Sequence, residues 1–224
     1  MISFALSRRM TQLIILQRIE LLGSFSKKVR KFFGRYLFTN LITKFFFNKK
    51  KIGEKYFEIM QSELLSLEKN INFNKKNILS IGSGLGGFEA MVNYKYKDNC
   101  YTFIEKNIIS KKVKYGWDSN NNEAYNDLEL LKLFLLSNKM NKKNFEIFNF
   151  DSDLLPKKQF NIIISLYSLD YHYDFNLYLE YFKNITNEET LIVFDTIRPE
   201  YFINIFKKVK IVKTDDKTIH KSKR

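Results

Sequence analysis

The chain has 224 residues, 45% hydrophobic and 16% aromatic, enough for one domain with a real core or one domain with an extension. Its formal charge is +14, but lysine, asparagine, isoleucine and phenylalanine are all abundant, so part of that charge reads as coding bias and argues only weakly for a nucleic-acid partner. Cys100 is the only cysteine, which excludes an intrachain disulfide and a paired-cysteine metal site, and no apolar run reaches the ~20 residues of a bilayer span.

Residues 1 to 70 read as helical. Leu13, Leu16, Ile19 and Leu22 recur at helical spacing, as do Tyr56, Ile59, Met60, Glu63 and Leu64, and no proline interrupts them. Leu13–Leu16, after Arg8 and Arg9, is too short for the apolar core of a signal peptide, so a cytoplasmic location is expected. Residues 1–58 hold thirteen Lys and Arg against Glu20, Glu54 and Glu58, which is +10 of the +14. The expected organisation is a basic helical extension over 1–70 and a main domain over 71–224. Lys44-Phe45-Phe46-Phe47-Asn48-Lys49-Lys50-Lys51 sets aromatic residues beside cations, a pattern suited to peripheral contact with the inner face of a membrane. The plainer reading packs the phenylalanines on the main domain and leaves the lysines solvated.

Asn77-Ile78-Leu79-Ser80-Ile81 then runs into Gly82-Ser83-Gly84-Leu85-Gly86-Gly87, with four glycines in six positions, and a helical pattern follows. A strand, a glycine turn and a helix N-terminus together make a cradle for a nucleotide-like ligand, because glycine tolerates positive φ and lets the backbone come close. Gly82, Gly84 and Gly87 satisfy the dinucleotide pattern G-x-G-x-x-G, and Gly82, Gly84 and Gly86 satisfy G-x-G-x-G. Strand-like runs follow at Tyr101–Ile104, Phe145–Phe150, Phe160–Leu166 and Thr190–Phe194, separated by helical patterns at Gly87–Lys97, Glu123–Asn138 and Asn176–Asn184. This alternation predicts an α/β fold, a mostly parallel sheet with helices on both faces. A short helix over Pro199–Phe206, a strand over Val209–Lys213 and a stub at Thr218–Lys223 complete the expected elements.

In such a sheet ligands bind at the carboxyl ends of the strands. The first strand ends in the glycine loop. The second ends in Glu105, about twenty residues on, where a carboxylate can accept from ribose hydroxyls. The third ends in Asp151-Ser152-Asp153, with Asp151 a candidate for the adenine side or an N-cap. The fourth ends in Ser165-Leu166-Tyr167-Ser168-Leu169-Asp170-Tyr171-His172, and the fifth in Asp195-Thr196-Ile197-Arg198.

This order of glycine loop, acidic second and third strands and polar loop after the fourth resembles the class I (Rossmann-like) S-adenosylmethionine-dependent methyltransferases over Asn77 to Val212. Tyr115-Gly116-Trp117 with Tyr125-Asn126-Asp127-Leu128-Glu129, then Ile163 to Tyr173, then Phe194 to Arg198, look like bacterial sugar O-methyltransferase-type proteins. The resemblance implies S-adenosylmethionine as cofactor, held by Gly82, Ser83, Gly84, Gly86, Glu105, Asp151 and Ser165. It implies a sugar or glycan acceptor, with Tyr115 and Trp117 placed to stack on the ring, Trp117 equally read as a core aromatic covering the cofactor, and Arg198 placed to meet a phosphate or carboxylate. His172 is the expected general base, with Asp170 or Asp174 to orient it and Asp170 as the substitute base. Asp170 and Asp195 could also ligate a divalent cation, which two carboxylates alone leave open. That family closes its sheet with a hairpin of sixth and seventh strands; here the seventh is expected to be short or absent.

The dehydrogenase alternative lacks a second nucleotide-binding half. Base N-methylation is disfavoured, since Ser165-Leu166-Tyr167-Ser168 stands where those enzymes resemble one another in an Asp/Asn-Pro-Pro-aromatic motif. RNA methylation and a non-catalytic module of the same fold, docked on a membrane or partner, stay as alternatives.

Overall fold

The computed structural model describes residues 2–43, 47–109, 125–170, 174–196 and 198–212. Tyr115, Trp117 and His172, and the stub at Thr218–Lys223, lie outside the described residues.

Helix α1 (Arg8–Gln17) starts where the Ser7 hydroxyl accepts from the Met10 amide. A 3-10 turn (Ile19–Leu21) leads to α2 (Ser24–Phe33), then a short helical turn (Arg35–Leu37) runs into a π-helical segment (Phe38–Ile42). The 19-residue α3 (Lys49–Leu67) is capped by the Asn48 side chain, which accepts from the Lys50 and Lys51 amides. Then come β1 (Asn77–Ile81), α4 (Gly87–Lys95), β2 (Cys100–Glu105), α5 (Leu128–Ser137), β3 (Phe145–Asn149) and β4 (Ile162–Ser165). A 3-10 turn (Phe175–Tyr178), α6 (Leu179–Ile185), β5 (Leu191–Phe194) and α7 (Pro199–Ile203) follow.

The five strands form one sheet in the order β3-β2-β1-β4-β5, and every pair is parallel. This is the Rossmann-like architecture that the alternating pattern predicts. The order reverses at β1, whose Leu79 pairs with Thr102 of β2 on one side and Ile163 of β4 on the other. That switch point opens a crevice at the carboxyl ends of the strands.

Side chains alternate between the two faces of each strand. Ile78, Tyr101, Phe103, Ile162 and Ile164 belong to a core shared with α1, α3, α4 and α5, while Leu79, Ile81, Ile104 and Ile163 face Phe175, Phe182 and Phe202. The N-terminal helices therefore cover one face of the sheet, and the segments after β4 cover the other. Phe4 shows the continuity, with its ring 5.4 Å from Tyr56 and 5.3 Å from Phe134. No described helix is long and apolar enough to cross a membrane.

Three expectations need correction. The helix expected at 123–138 forms over Leu128–Ser137, because the Asp127 carboxylate caps it by accepting from the Leu130 amide. The one expected at 176–184 divides into the 3-10 turn and α6. The strand expected at Val209–Lys213 does not form over its described residues 209–212: Val209 and Ile211 are exposed, and no described strand lies beside them.

Candidate functional site

β1 delivers the chain into a loop whose Gly82, Gly84 and Gly86 have φ of +67°, +64° and +71°. L side chains resist this left-handed region. Space forbids side chains as well: a Cβ on Gly82 would sit 2.0 Å from Ser168 Oγ, and one on Gly84 would sit 2.7 Å from Gln17 Oε1. The loop is thus pinched between the segment after β4 and the end of α1. Gly87, the third glycine of the dinucleotide pattern, serves packing instead, since its Cβ would lie 2.0 Å from the Tyr56 hydroxyl on α3.

Glu105 organises the loop. Its Oε1 accepts from Ser83 Oγ at 2.8 Å and from the Gly84 amide at 3.0 Å. Asn126 Nδ2 donates to the Gly84 carbonyl at 2.8 Å, and Gln17 Nε2 donates to the Tyr125 carbonyl. Glu105 is buried, and burial pushes its carboxyl up to about 7, against the opposing pull of hydrogen bonds from Ser83, Asn126 and Gly84.

The loop and Glu105 form one wall of a cleft of about 630 Å³, within the usual range for small-molecule sites. Lys106 and Phe150 line it beside them, and Leu166, Tyr167, Ser168 and Leu169 bring in the segment after β4. The facing wall comes from the N-terminal helices, with Gln17, Arg18, Glu20, Arg35 and Glu63. Arg18 Nη1 donates to Glu63 Oε1 at 2.9 Å and to Glu20 Oε1 at 3.2 Å, and its guanidinium lies 4.9 Å from the Tyr167 ring centre. Burial is the largest single influence and opposes the Arg18 charge, but Glu63, Tyr56 and Glu20 together outweigh it, and the group stays protonated. Burial raises the Glu63 carboxyl above its ordinary range, although Arg18 pulls it down. Among the described residues Glu63 Oε2 is buried without a hydrogen-bond partner.

Tyr167 is strained, with φ at +63°, and its amide donates to Asp195 Oδ2 at 3.0 Å. Burial pushes its hydroxyl up to about 12, with Glu63 and Asp195 adding to the effect. Sparsely populated backbone of this kind gathers at functional loops. Asp170, three residues on, is also left-handed at φ +62°.

The sequence candidates fall into distinct places. Gly82, Ser83, Gly84 and Glu105 meet at the cleft. Gly86 caps α4 behind them. Asp151 is exposed, with Oδ1 3.1 Å from Lys106 Nζ, so Lys106 and Phe150 rather than Asp151 form the cleft wall there. Ser165 is buried and its hydroxyl accepts from the Leu169 amide at 2.9 Å, which fixes the turn after β4.

Asp170 and Arg198 are brought together, bound to each other. Arg198 donates to Asp170 Oδ1 from Nε at 3.1 Å and from Nη2 at 2.8 Å, Thr196 Oγ1 donates to Asp170 Oδ2, and Arg198 also reaches Asp174 at 3.2 Å. Asp170 is fully buried, which raises its carboxyl, while the bonds from Arg198 and Thr196 pull it back. Neither residue lines the cleft. Among the described residues no three His, Cys, Asp or Glu side chains gather as a metal site. Arg18, Glu63, Gln17 and Asn126 were not singled out by sequence as site residues; the packing of α1 and α3 onto the loop brings the first three there, and Asn126 reaches it from the segment before α5.

No protein-family model matches the chain, and no curated protein matches it in sequence. Several solved structures are similar. Coclaurine N-methyltransferase bound to N-methylheliamine and SAH aligns at 15% identity and a TM-score of 0.43, over 63% of this chain and 36% of that one. A putative caffeoyl-CoA O-methyltransferase from Staphylococcus aureus aligns at 15% identity and 0.39, over 88% and 79%. A methyltransferase of calicheamicin biosynthesis in its SAH-bound form aligns at 10% identity and 0.37, over 81% and 52%. The chain thus spans about a third of the length of the coclaurine enzyme and about half that of the calicheamicin enzyme.

Proposed function

We propose that this chain is an S-adenosylmethionine-dependent methyltransferase that methylates a hydroxyl oxygen of a sugar or glycan. One observation carries the reading: a left-handed glycine loop at the sheet's switch point is tied by Ser83 Oγ and the Gly84 amide to the acidic end of β2, at the edge of a large cleft. A Cβ at Gly82 or Gly84 would collide with Ser168 or Gln17, so the loop keeps bare backbone at both positions.

S-adenosylmethionine supplies an activated methyl group on a sulfonium centre. Gly82, Ser83 and Gly84 would bring bare backbone to its methionyl end, with Gly86 shaping the turn. Glu105 would accept from the ribose hydroxyls, and Phe150 offers a ring face to the adenine, with Asp151 steadying Lys106 beside it. The Arg18–Glu63–Glu20 wall, with the Tyr167 ring, suits an acceptor rich in hydroxyls, because it presents both donors and acceptors in a half-buried setting. Tyr115 and Trp117 are further acceptor contacts in this reading. His172, just past β4, is the proposed general base and would hold the proton released from the acceptor hydroxyl. Asp170 and Arg198, bound to each other, fix the described chain up to Asp170, and no metal is assigned. The lone Cys100 suits a cytoplasmic setting.

Calorimetric titration with S-adenosylmethionine and, in parallel, NAD tests the cofactor. Micromolar binding of the first, lost in Gly84→Asp, supports the reading; binding of NAD alone, or of neither, ends it. A screen of nucleotide sugars then tests the acceptor. His172→Ala should lower turnover by about 10²–10⁴-fold with cofactor affinity intact. Glu63→Gln should raise acceptor KM far more than it changes cofactor affinity. Wild-type kinetics in both variants would remove these roles.

A further inference from the structure

From Leu21 to Gly53 the chain carries nine Lys and Arg and no acidic residue. α2 lies in this stretch, and its polarity is inverted relative to a helix that packs on a core. Arg30 is 8% exposed, whereas Phe25 is 77% and Phe32 84% exposed. Seven residues apart, the two rings leave the helix within about 20° of one another, two turns apart. Phe33 stands beside them, half exposed and edge-on to Phe32 at 5.0 Å between ring centres. Lys28 follows Phe25 by one turn on the same side, and Lys27 and Lys31 are exposed next to it. Among the described residues none of these three lysines forms an ion pair. Large apolar side chains largely open to water on one side of a helix mark a contact surface.

We propose that α2 docks on an anionic lipid surface. Phe25 and Phe32 enter the boundary between headgroups and acyl chains, and Lys27, Lys28 and Lys31 meet the headgroup charge. The charge pattern argues for this occupant over a second copy of the chain, since two such acid-free faces repel. The pairing of two exposed phenylalanine rings on one side of a single helix argues for it over a nucleic-acid strand, which needs a cationic groove that tracks the backbone. The inference stands apart from the methyltransferase reading, because no residue of α2 lines the cleft.

Co-sedimentation of the full chain with phosphatidylcholine vesicles, with and without phosphatidylglycerol, tests it. Binding is expected only to the anionic vesicles and should weaken as salt rises. Phe25→Ser with Phe32→Ser should reduce it at least about tenfold, and each of Lys27→Gln, Lys28→Gln and Lys31→Gln by about fivefold. All five positions are exposed, so far-ultraviolet circular dichroism and S-adenosylmethionine affinity should be unchanged. Equal binding to neutral vesicles, no binding to either, or variants that bind like wild type would overturn the proposal. So would a concentration-dependent dimer abolished by the phenylalanine pair, or RNA binding lost in the lysine variants without any vesicle binding.

Discussion

The Gly84 amide donates to Glu105 Oε1 at 3.0 Å, across the gap between the end of β1 and the end of β2. The same carboxylate holds the loop and lines the cleft. Burial sets its protonation near neutral, at about 7. In the proposed role of Glu105 the ribose hydroxyls would donate to its ionised form, so S-adenosylmethionine affinity should rise with pH to a plateau above about 7 and fall about tenfold per pH unit below it. Glu105→Gln should weaken binding about 10- to 100-fold and flatten this profile. Calorimetry across the range checks both.

Glu89 lies beneath the loop, 4% exposed, where its Oε1 accepts from Ser80 Oγ and Oε2 has no partner among the described residues. Burial pushes its carboxyl from 4.5 up to about 7. The folded chain then keeps a proton that the unfolded chain releases. This group costs nothing below about pH 4.5, lowers stability as pH climbs towards 7, and costs about 3 kcal/mol above that. Glu89→Gln should match wild type near pH 4.5 and exceed it by about 1–3 kcal/mol at alkaline pH in urea unfolding.

Gly82 and Gly84 share a left-handed backbone but differ in what crowds them. Ser168 beside Gly82 is 8% exposed and cannot retreat, whereas the crowding atom at Gly84 is the tip of the Gln17 side chain. Gly84→Ala should cost about 1–2 kcal/mol, the penalty of the backbone conformation. Gly82→Ala should cost more and depress cofactor affinity further. Thermal unfolding and calorimetry on the two variants rank them.

Asp170 has no exposed surface, and Arg198 provides its compensating charge. Removing one partner of such a pair leaves a buried charge behind, so Arg198→Ala should destabilise by about 3–5 kcal/mol. Adding Asp170→Asn should recover much of that loss. A double-mutant cycle in urea measures the coupling, and additive losses would show that the pair acts independently.

The strands were legible because each is a short apolar run bounded by turn residues, and β1 ends in glycines that allow few other readings. The parallel direction of the sheet followed from strand–helix alternation, whereas the strand order came only with the structure. Val209-Lys210-Ile211-Val212 carries the same apolar content, but a strand needs a neighbour, and pattern alone does not supply one. The second wall of the cleft was hidden for a different reason. Arg18 and Glu63 are 45 residues apart on separate helices, and each reads as an ordinary helical charge until α1 and α3 pack on the sheet. Asp170 and Arg198 were both visible at strand ends, but the parallel pairing of β4 with β5 spends them on each other.

The placement of α1 and α3 has a consequence for how the protein is made. Their apolar faces leave the ribosome before the surfaces that cover them. Phe134, which meets Phe4 and Tyr56, is synthesised 67 residues after Leu67, the end of α3. At about 5–20 residues per second the nascent helices wait roughly 3–13 s for it. β1 waits longer still for Ile162 of β4, its second neighbour in the sheet. During that interval Ile14, Ile15 and Met60, all sealed in the finished fold, are bare. Chaperone engagement of stalled nascent chains should therefore peak before β4 emerges and decline once it has paired.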